Sequence, residues 1–192
     1  VASPDICVIT NIGMAHLEFF KTREGIFQEK SQMIQDMKNG GTIILNGDDD
    51  ILSSCGPIKG VTPQFFGIGK NNEFYADNIT SLGLKGTSCT IHLPSGECFD
   101  CTVPLPGAHM VSNALSGAAV GYNLDLTAEE IKAGIEHLPS IPGRGAIIST
   151  DKLVILDDCY NANPVSMKAS MDVLDLAIGR KVAVLGDMGE LG

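Results

Sequence analysis

The sequence is short of positive charge, and that shortage excludes a whole class of partner. Thirteen Lys and Arg stand against 23 Asp and Glu, a formal net charge of −10. Binding to nucleic acid needs a cationic surplus to displace counterions from phosphates, so no nucleic-acid partner is expected. A single anionic nucleotide is not excluded, because backbone amides and a bound metal can hold it locally. No apolar run approaches the ~18 residues of a membrane span, and no signal-peptide pattern is present, so a cytoplasmic location is expected. The six cysteines contain one C-x-x-C pair, Cys98 and Cys101, with no second pair or H-x-H beside it. Reduced cysteines serving as small apolar residues are expected there, rather than a zinc or redox centre. Internal repeats, low-complexity tracts and long linkers are also missing.

What is present suits a compact, turn-rich domain: 192 residues, 44% of them apolar, with 22 glycines. Both termini fall inside or beside strand-like patterns, so the chain reads as a piece of a longer polypeptide.

Ile6 to Ile12 is a short apolar, β-rich run ending at Gly13, the pattern of a buried strand. Thr22 can cap a helix that runs to about Lys38 and stops at Gly40-Gly41. Thr42 to Leu45 is the next buried strand, followed by Asn46-Gly47 and the acidic triplet Asp48-Asp49-Asp50, read as a helix start. Strand, helix, strand is the unit of a parallel sheet. From Gln64 to Val103 short alternating runs separated by Gly and Asn turns predict an antiparallel meander. Two helices follow, Ala108 to Tyr122 and Ala128 to His137, the second opened by a capping box of Thr127 and Glu130. After the turn from Pro139 to Gly145 come strands at Ala146 to Thr150 and Lys152 to Leu156. A helix from Pro164 to Ile178 and a strand from Lys181 to Leu185 then start a new unit, with Pro at the first helical turn. The expected fold class is α/β: a mostly parallel sheet flanked by helices, with a small antiparallel β meander and the start of a Rossmann-like C-terminal domain.

Several residues do not suit a purely structural reading. Lys30 falls on the apolar stripe of Ile26, Phe27, Met33, Ile34 and Met37, four residues from Ile26 and from Ile34. It either lays its methylenes over the core edge with the amine in water, or turns into a pocket where desolvation lowers its pKa. His16 follows the first strand at its C-terminal end, where ligand crevices lie in open α/β sheets. Asp157-Asp158 end a later strand, where carboxylates suit metal or ribose contacts, or simply a turn. A phosphatase of the Asp-x-Asp type is weakened because Cys159 takes the second acidic place. Arg144 lies between Gly143 and Gly145, where backbone freedom lets a guanidinium approach phosphate. His109 and Asn113 share a helix face, and an asparagine there suits an adenine edge. Gly186, Gly189 and Gly192 do not have the spacing of a dinucleotide fingerprint.

In order along the chain, I-T-N-I-G-M-A-H-L-E, R-E-G-I-F-Q-E-K-S, L-N-G-D-D-D, P-G-A-H-M-V-S-N-A-L, D-D-C-Y-N-A-N-P-V-S-M-K-A-S and V-L-G-D-M-G-E-L-G resemble the Mur ligase family. N-I-G-x-x-H is shared by the wider superfamily, whereas D-D-C-Y-N-A-N-P and G-D-M-G-E-L-G resemble the branch that adds D-alanyl-D-alanine. The resemblance implies an ATP-dependent amide ligase of peptidoglycan precursor synthesis. It would phosphorylate the terminal carboxylate of UDP-N-acetylmuramoyl-tripeptide, and the amine of D-Ala-D-Ala would attack the acyl phosphate, with Mg2+ and cationic groups neutralising the gathered anions. By the same resemblance Lys30 matches the family's carbamylated lysine and His16 its ligand to a second Mg2+. Asn113 matches the adenine-binding asparagine, Arg144 the arginine near the ATP phosphates and Asp158 the aspartate near the ribose. Tyr160 stands where it can pack on the nucleotide, and Asn161, Asn163 and Pro164 lie at an interdomain hinge.

Met110 departs from the family's H-N-x-x-N, and the phosphate loop G-x-x-G-K-S/T is not in this sequence. Residues 1–159 are therefore expected to form a partial central ATPase-type domain and 160–192 the beginning of a C-terminal ligase domain. The piece alone is expected to be inactive, and the full-length form a monomer. A folylpolyglutamate synthetase-like ligase and a non-catalytic Mur-like binding subunit are the alternatives.

Overall fold

The computed structural model describes residues 3–13 and 17–189. The elements are β1 (Ile6–Ile9), α1 (Leu17–Phe20), α2 (Arg23–Gln35), β2 (Thr42–Asn46), β3 (Gln64–Gly67), β4 (Phe74–Ser81), β5 (Thr87–His92) and β6 (Cys98–Val103), followed by α3 (His109–Asn123), α4 (Ala128–Glu136), β7 (Ala146–Ser149), β8 (Val154–Asp157) and α5 (Pro164–Asp175).

The first six strands make one sheet in sequence order. β1 to β4 run parallel, with Ile6 opposite Thr42, Ile44 opposite Gln64 and Phe66 opposite Phe74. β5 and β6 complete the sheet antiparallel, with Ile91 facing Ala76 on one side and Phe99 on the other. The meander is therefore shorter than its composition implied: β3, inside the stretch read as antiparallel, belongs to the parallel part.

Alternation in the strands explains the layers. In β2, Ile44 packs on one face while Ile43 and Leu45 pack on the other, and all three are fully buried. A strand covered on both faces has to be a continuous apolar run, as in buried parallel sheets. One face carries α3, with Val111, Leu115, Ala118 and Ala119 buried against Phe66, Phe74 and Ile91. α4 lies over β6 and α3. The opposite face carries α2, which buries Ile26 and Ile34 against Cys7, Ile9, Ile43 and Leu45.

The caps follow from side-chain chemistry. Thr22 accepts the Gly25 amide, and Thr127 and Glu130 form the reciprocal box. Asn163 accepts the amides of Val165 and Ser166 ahead of Pro164 at the start of α5. The acidic triplet does not open an α-helix. Asp49 takes the Ile51 and Leu52 amides and starts only a single tight 3₁₀ turn, Leu52–Ser54.

β7 and β8 form a separate antiparallel hairpin. The strand expected from Lys181 to Leu185 does not form. Val184 there is 95% exposed, and a strand gains its hydrogen bonds only from a neighbour, which this run does not have among the described residues.

Cys98 and Cys101 lie on opposite faces of β6, one exposed and one buried, because strand side chains alternate. They cannot converge on one metal. Cys7, Cys89 and Cys101 are the small buried residues expected, whereas Cys98 and Cys159 are exposed. Among the described residues no helix is long and apolar enough to cross a membrane.

Candidate functional site

Pairing of β1 ends at Ile9, and the three residues after Ile9 emerge at the carboxyl end of the parallel strands. Their peptide groups then need partners that the sheet no longer supplies. Side chains supply them one by one. Asn46 Nδ2 donates to the Thr10 carbonyl at 2.8 Å, Lys30 Nζ to the Asn11 carbonyl at 2.8 Å, and Arg23 Nε to the Ile12 carbonyl at 2.8 Å. The Ile12 amide donates to Asp49 Oδ2 at 2.7 Å. Three consecutive carbonyls and one amide are thus held by two side chains from α2 and two from the end of β2 and the turn after it.

The L-N-G-D-D-D string organises this edge. Asp50 receives both terminal nitrogens of Arg23, and Asp49 lies 3.9 Å from the same guanidinium with its own side chain only 8% exposed. Asp48 reaches the next loop, accepting the amides of Ile68 and Gly69 and the side-chain amide of Asn72. The loops after β1, β2 and β3 are therefore one hydrogen-bonded unit. Sequence reasoning assigns the triplet to a helix start and misses this role.

Lys30 neither enters a cavity nor simply extends into water. The residue as a whole is exposed, but its amine returns to the Asn11 carbonyl instead of extending into water. Burial lowers its pKa, and the charge of Asp49 opposes that shift. A lysine so placed gives up its proton more readily than an ordinary one. His16 lies outside the described residues.

A second group of predicted residues gathers around the end of β8. Gly143 adopts a φ of +75°, and a Cβ there would come within 3.3 Å of the Tyr160 side chain. Its amide donates to Asp157 Oδ2 at 3.0 Å, and its carbonyl accepts the Tyr160 amide at 3.1 Å. This knot sets Arg144 against Tyr160, the guanidinium carbon 3.7 Å from the ring centroid. Tyr160 is exposed and Arg144 lies on the same surface. The Asp157 carboxyl sits below its usual pKa range, held first by the Cys159 thiol and then by the Gly143 amide.

Asp158 points the other way and accepts the Ser170 hydroxyl of α5. Its charge also acts on His109, whose pKa is lowered by burial against the opposing charges of Asp158 and Asp172. His109 and Asp172 line a groove of about 440 Å³ between β4, β5, the start of α3 and α5. Asn113, one turn further along α3, is exposed, opens on a different groove between α3 and α4, and donates to Met110 Sδ at 3.5 Å. Arg144 and Tyr160 are thus in contact, Asp158 bonds Ser170 within reach of His109 for its charge to act there, and Lys30 and Asn113 stand in their own surroundings.

A family model described as the Mur ligase middle domain matches residues 1–121. The chain belongs to the Mur ligase family. A second model, Mur ligase, glutamate ligase domain, matches residues 143–192. Two similar relatives are the UDP-N-acetylmuramoyl-tripeptide–D-alanyl-D-alanine ligases of Escherichia coli and Bacillus subtilis. Each is 35% identical, over 98% and 100% of this chain. The chain spans 42% and 41% of their lengths. Among solved structures, MurF from Acinetobacter baumannii superposes with a TM-score of 0.91 at 34% identity, over 99% of this chain and 41% of that one. MurF ligase from Thermotoga maritima in complex with ADP gives 0.87 at 28% identity, over 100% and 44%. The Mur fold accounts for the mixed sheet with α2 and α3 on its two faces.

Proposed function

We propose that this chain carries the central part of an ATP-dependent amide ligase that joins D-Ala-D-Ala to UDP-N-acetylmuramoyl-tripeptide through an acyl phosphate in peptidoglycan precursor synthesis. The observation that carries the reading is the Lys30 amine, drawn to the Asn11 carbonyl at the carboxyl end of the parallel strands and shifted toward its neutral form. Relatives named for that reaction match the chain along essentially its whole length.

The residues present fit a magnesium nucleotide in a particular way. Among the described residues no three His, Cys, Asp or Glu side chains stand ready to hold a metal ion. Mg2+ keeps several waters and takes one or two protein oxygens alongside substrate phosphates, so a prebuilt cage is not required. Lys30, as a carbamate formed by addition of carbon dioxide to its neutral amine with release of a proton, would supply one such oxygen, and by the family resemblance His16 would be a ligand to a second Mg2+. When bound, Mg2+ neutralises the charge that develops during phosphoryl transfer. Arg144 would place its guanidinium toward the ATP phosphates, and Tyr160, already stacked on it, would present an aromatic face to the nucleotide. Asn113 would bond the adenine edge and Asp158 the ribose.

We place the change of domain near residue 160, with 1–159 belonging to the central ATPase-type unit. The second family match begins earlier, at 143, and takes in the β7–β8 hairpin. A cytoplasmic location and a monomeric full-length form complete the reading.

The test is an ADP-release assay with the muramoyl tripeptide as acceptor, on this chain carried within a ligase of its relatives' full length. ADP release that depends on D-Ala-D-Ala and not on glutamate is expected. Release driven by glutamate instead would overturn the substrate assignment.

A further inference from the structure

We propose that Asp49 is a positioning residue for the Lys30 site: by holding the Ile12 amide it fixes the Asn11 carbonyl on which the Lys30 amine rests. The proposal rests on the reading of Lys30 as the functional amine and assigns Asp49 a part in it.

The geometry allows few other roles. The Asp49 side chain is 8% exposed, so its carboxylate is nearly out of solvent. One oxygen accepts the Ile51 and Leu52 amides at 3.0 and 3.1 Å, which is ordinary capping of the turn that follows. The other oxygen does something capping does not need. It crosses to the end of β1 and takes the Ile12 amide at 2.7 Å. Arg23 holds the same residue from its carbonyl side and stands close to Asp49 itself. Ile12 is therefore gripped at both ends, and Asn11, the residue before it, has no freedom to turn its carbonyl away from Lys30. A serine or asparagine at position 49 would cap the turn equally well. Only a carboxylate caps the turn, accepts the Ile12 amide and brings a negative charge to bear on Lys30.

The test compares the protein with Asp49→Asn, Asp49→Ser and Asp50→Asn, reading two quantities that do not depend on ligase activity. The first is hydrogen exchange of the Ile12 amide. Asp49→Asn and Asp49→Ser remove its charged acceptor while keeping the cap, and exchange is expected to speed up roughly tenfold or more, since hydrogen bonds to charged groups are the stronger kind. The second is the contact between the Lys30 amine and the Asn11 carbonyl, read by nuclear magnetic resonance as the carbon-13 shift of that carbonyl against its value in Lys30→Met. In both Asp49 variants it is expected to move toward the Lys30→Met value, because the peptide between Asn11 and Ile12 is no longer held in place. Asp50→Asn leaves the Ile12 acceptor in place and is expected to change neither quantity appreciably. If either Asp49 variant fails to fold, the other, which keeps a different capping group, carries both readouts. A purely structural Asp49 would lower thermal stability but leave the Asn11 carbonyl shift unmoved, and that result overturns the proposal. Failure of the ligase assay with these two shifts intact would count against the substrate reading and not against Asp49.

Discussion

Replacing Gly47 by alanine puts a methyl group into space already filled by a buried side chain. The added Cβ would lie 1.9 Å from Asn72 Oδ1, 3.0 Å from its Cγ and 3.3 Å from Phe65 Cβ. Asn72 is 5% exposed and is held by the Gly69 carbonyl at 2.8 Å and Asp48 Oδ1 at 3.3 Å. It can move aside only by breaking both bonds. Two bonds at about 1 kcal/mol each, together with overpacking of roughly 1–3 kcal/mol, give a destabilisation of about 3–5 kcal/mol. Urea denaturation followed by far-ultraviolet circular dichroism measures this as a lower midpoint at unchanged slope. A double-mutant cycle isolates the cause. In an Asn72→Ala background the obstacle is gone, and Gly47→Ala should then cost less than about 1 kcal/mol, the relief of the remaining contact with Phe65. Costs that simply add would show that Gly47 is needed for some reason other than the asparagine packed on it. The L-N-G-D-D-D edge could then no longer be understood as a unit closed by Asn72.

Further outcomes are expected. Lys30 should be acetylated at a lower pH than the other lysines, as judged by peptide mass spectrometry across a pH series; Lys30 reacting last would contradict the direction of its shift. His109 binds its proton less tightly in the folded chain than the usual value of about 6.5 allows, so stability is complete above that pH and declines as pH falls through it toward the folded value. A His109→Gln variant should therefore show a shallower loss of stability on mild acidification in urea titrations, and an unchanged slope would refute this. Arg144→Ala should cost about 0.5–1 kcal/mol through loss of the exposed cation–π contact, and with this chain carried in a ligase of its relatives' full length it should weaken ATP binding measured by calorimetry. Unaltered nucleotide affinity would remove Arg144 from the proposed phosphate site.

The parts of this architecture that are legible in the sequence are those written in local patterns. The runs at Ile6, Thr42 and Phe74, the Thr22 and Thr127 caps, and the proline that opens α5 all specify their elements within a few residues. Lys30 can be picked out because a charged residue stands between Ile26 and Ile34 on a buried stripe. Asp49 cannot. Its decisive partner, the Ile12 amide, is 37 positions away, and an acidic triplet after a strand looks the same whether it opens a helix or clamps a neighbouring loop. β3 escapes correct assignment for a related reason: a four-residue apolar strand has too few alternations to declare whether its neighbour runs parallel or antiparallel. Lys181 to Leu185 carries a strand's composition, but composition gives a tendency to pair, and pairing needs a second strand beside it. The contact of Arg144 with Tyr160 depends on the Gly143 turn bringing two chain segments together, which only the fold supplies.

The chemical availability of the Lys30 amine, at the carboxyl end of the parallel strands, is the central claim. It is tested most directly by carbon-13 nuclear magnetic resonance of the protein equilibrated with labelled bicarbonate. One carbamate carbon signal is predicted, present in the native protein and missing from Lys30→Arg. No such signal in the native protein, or one that persists when Lys30 is replaced, would contradict the account.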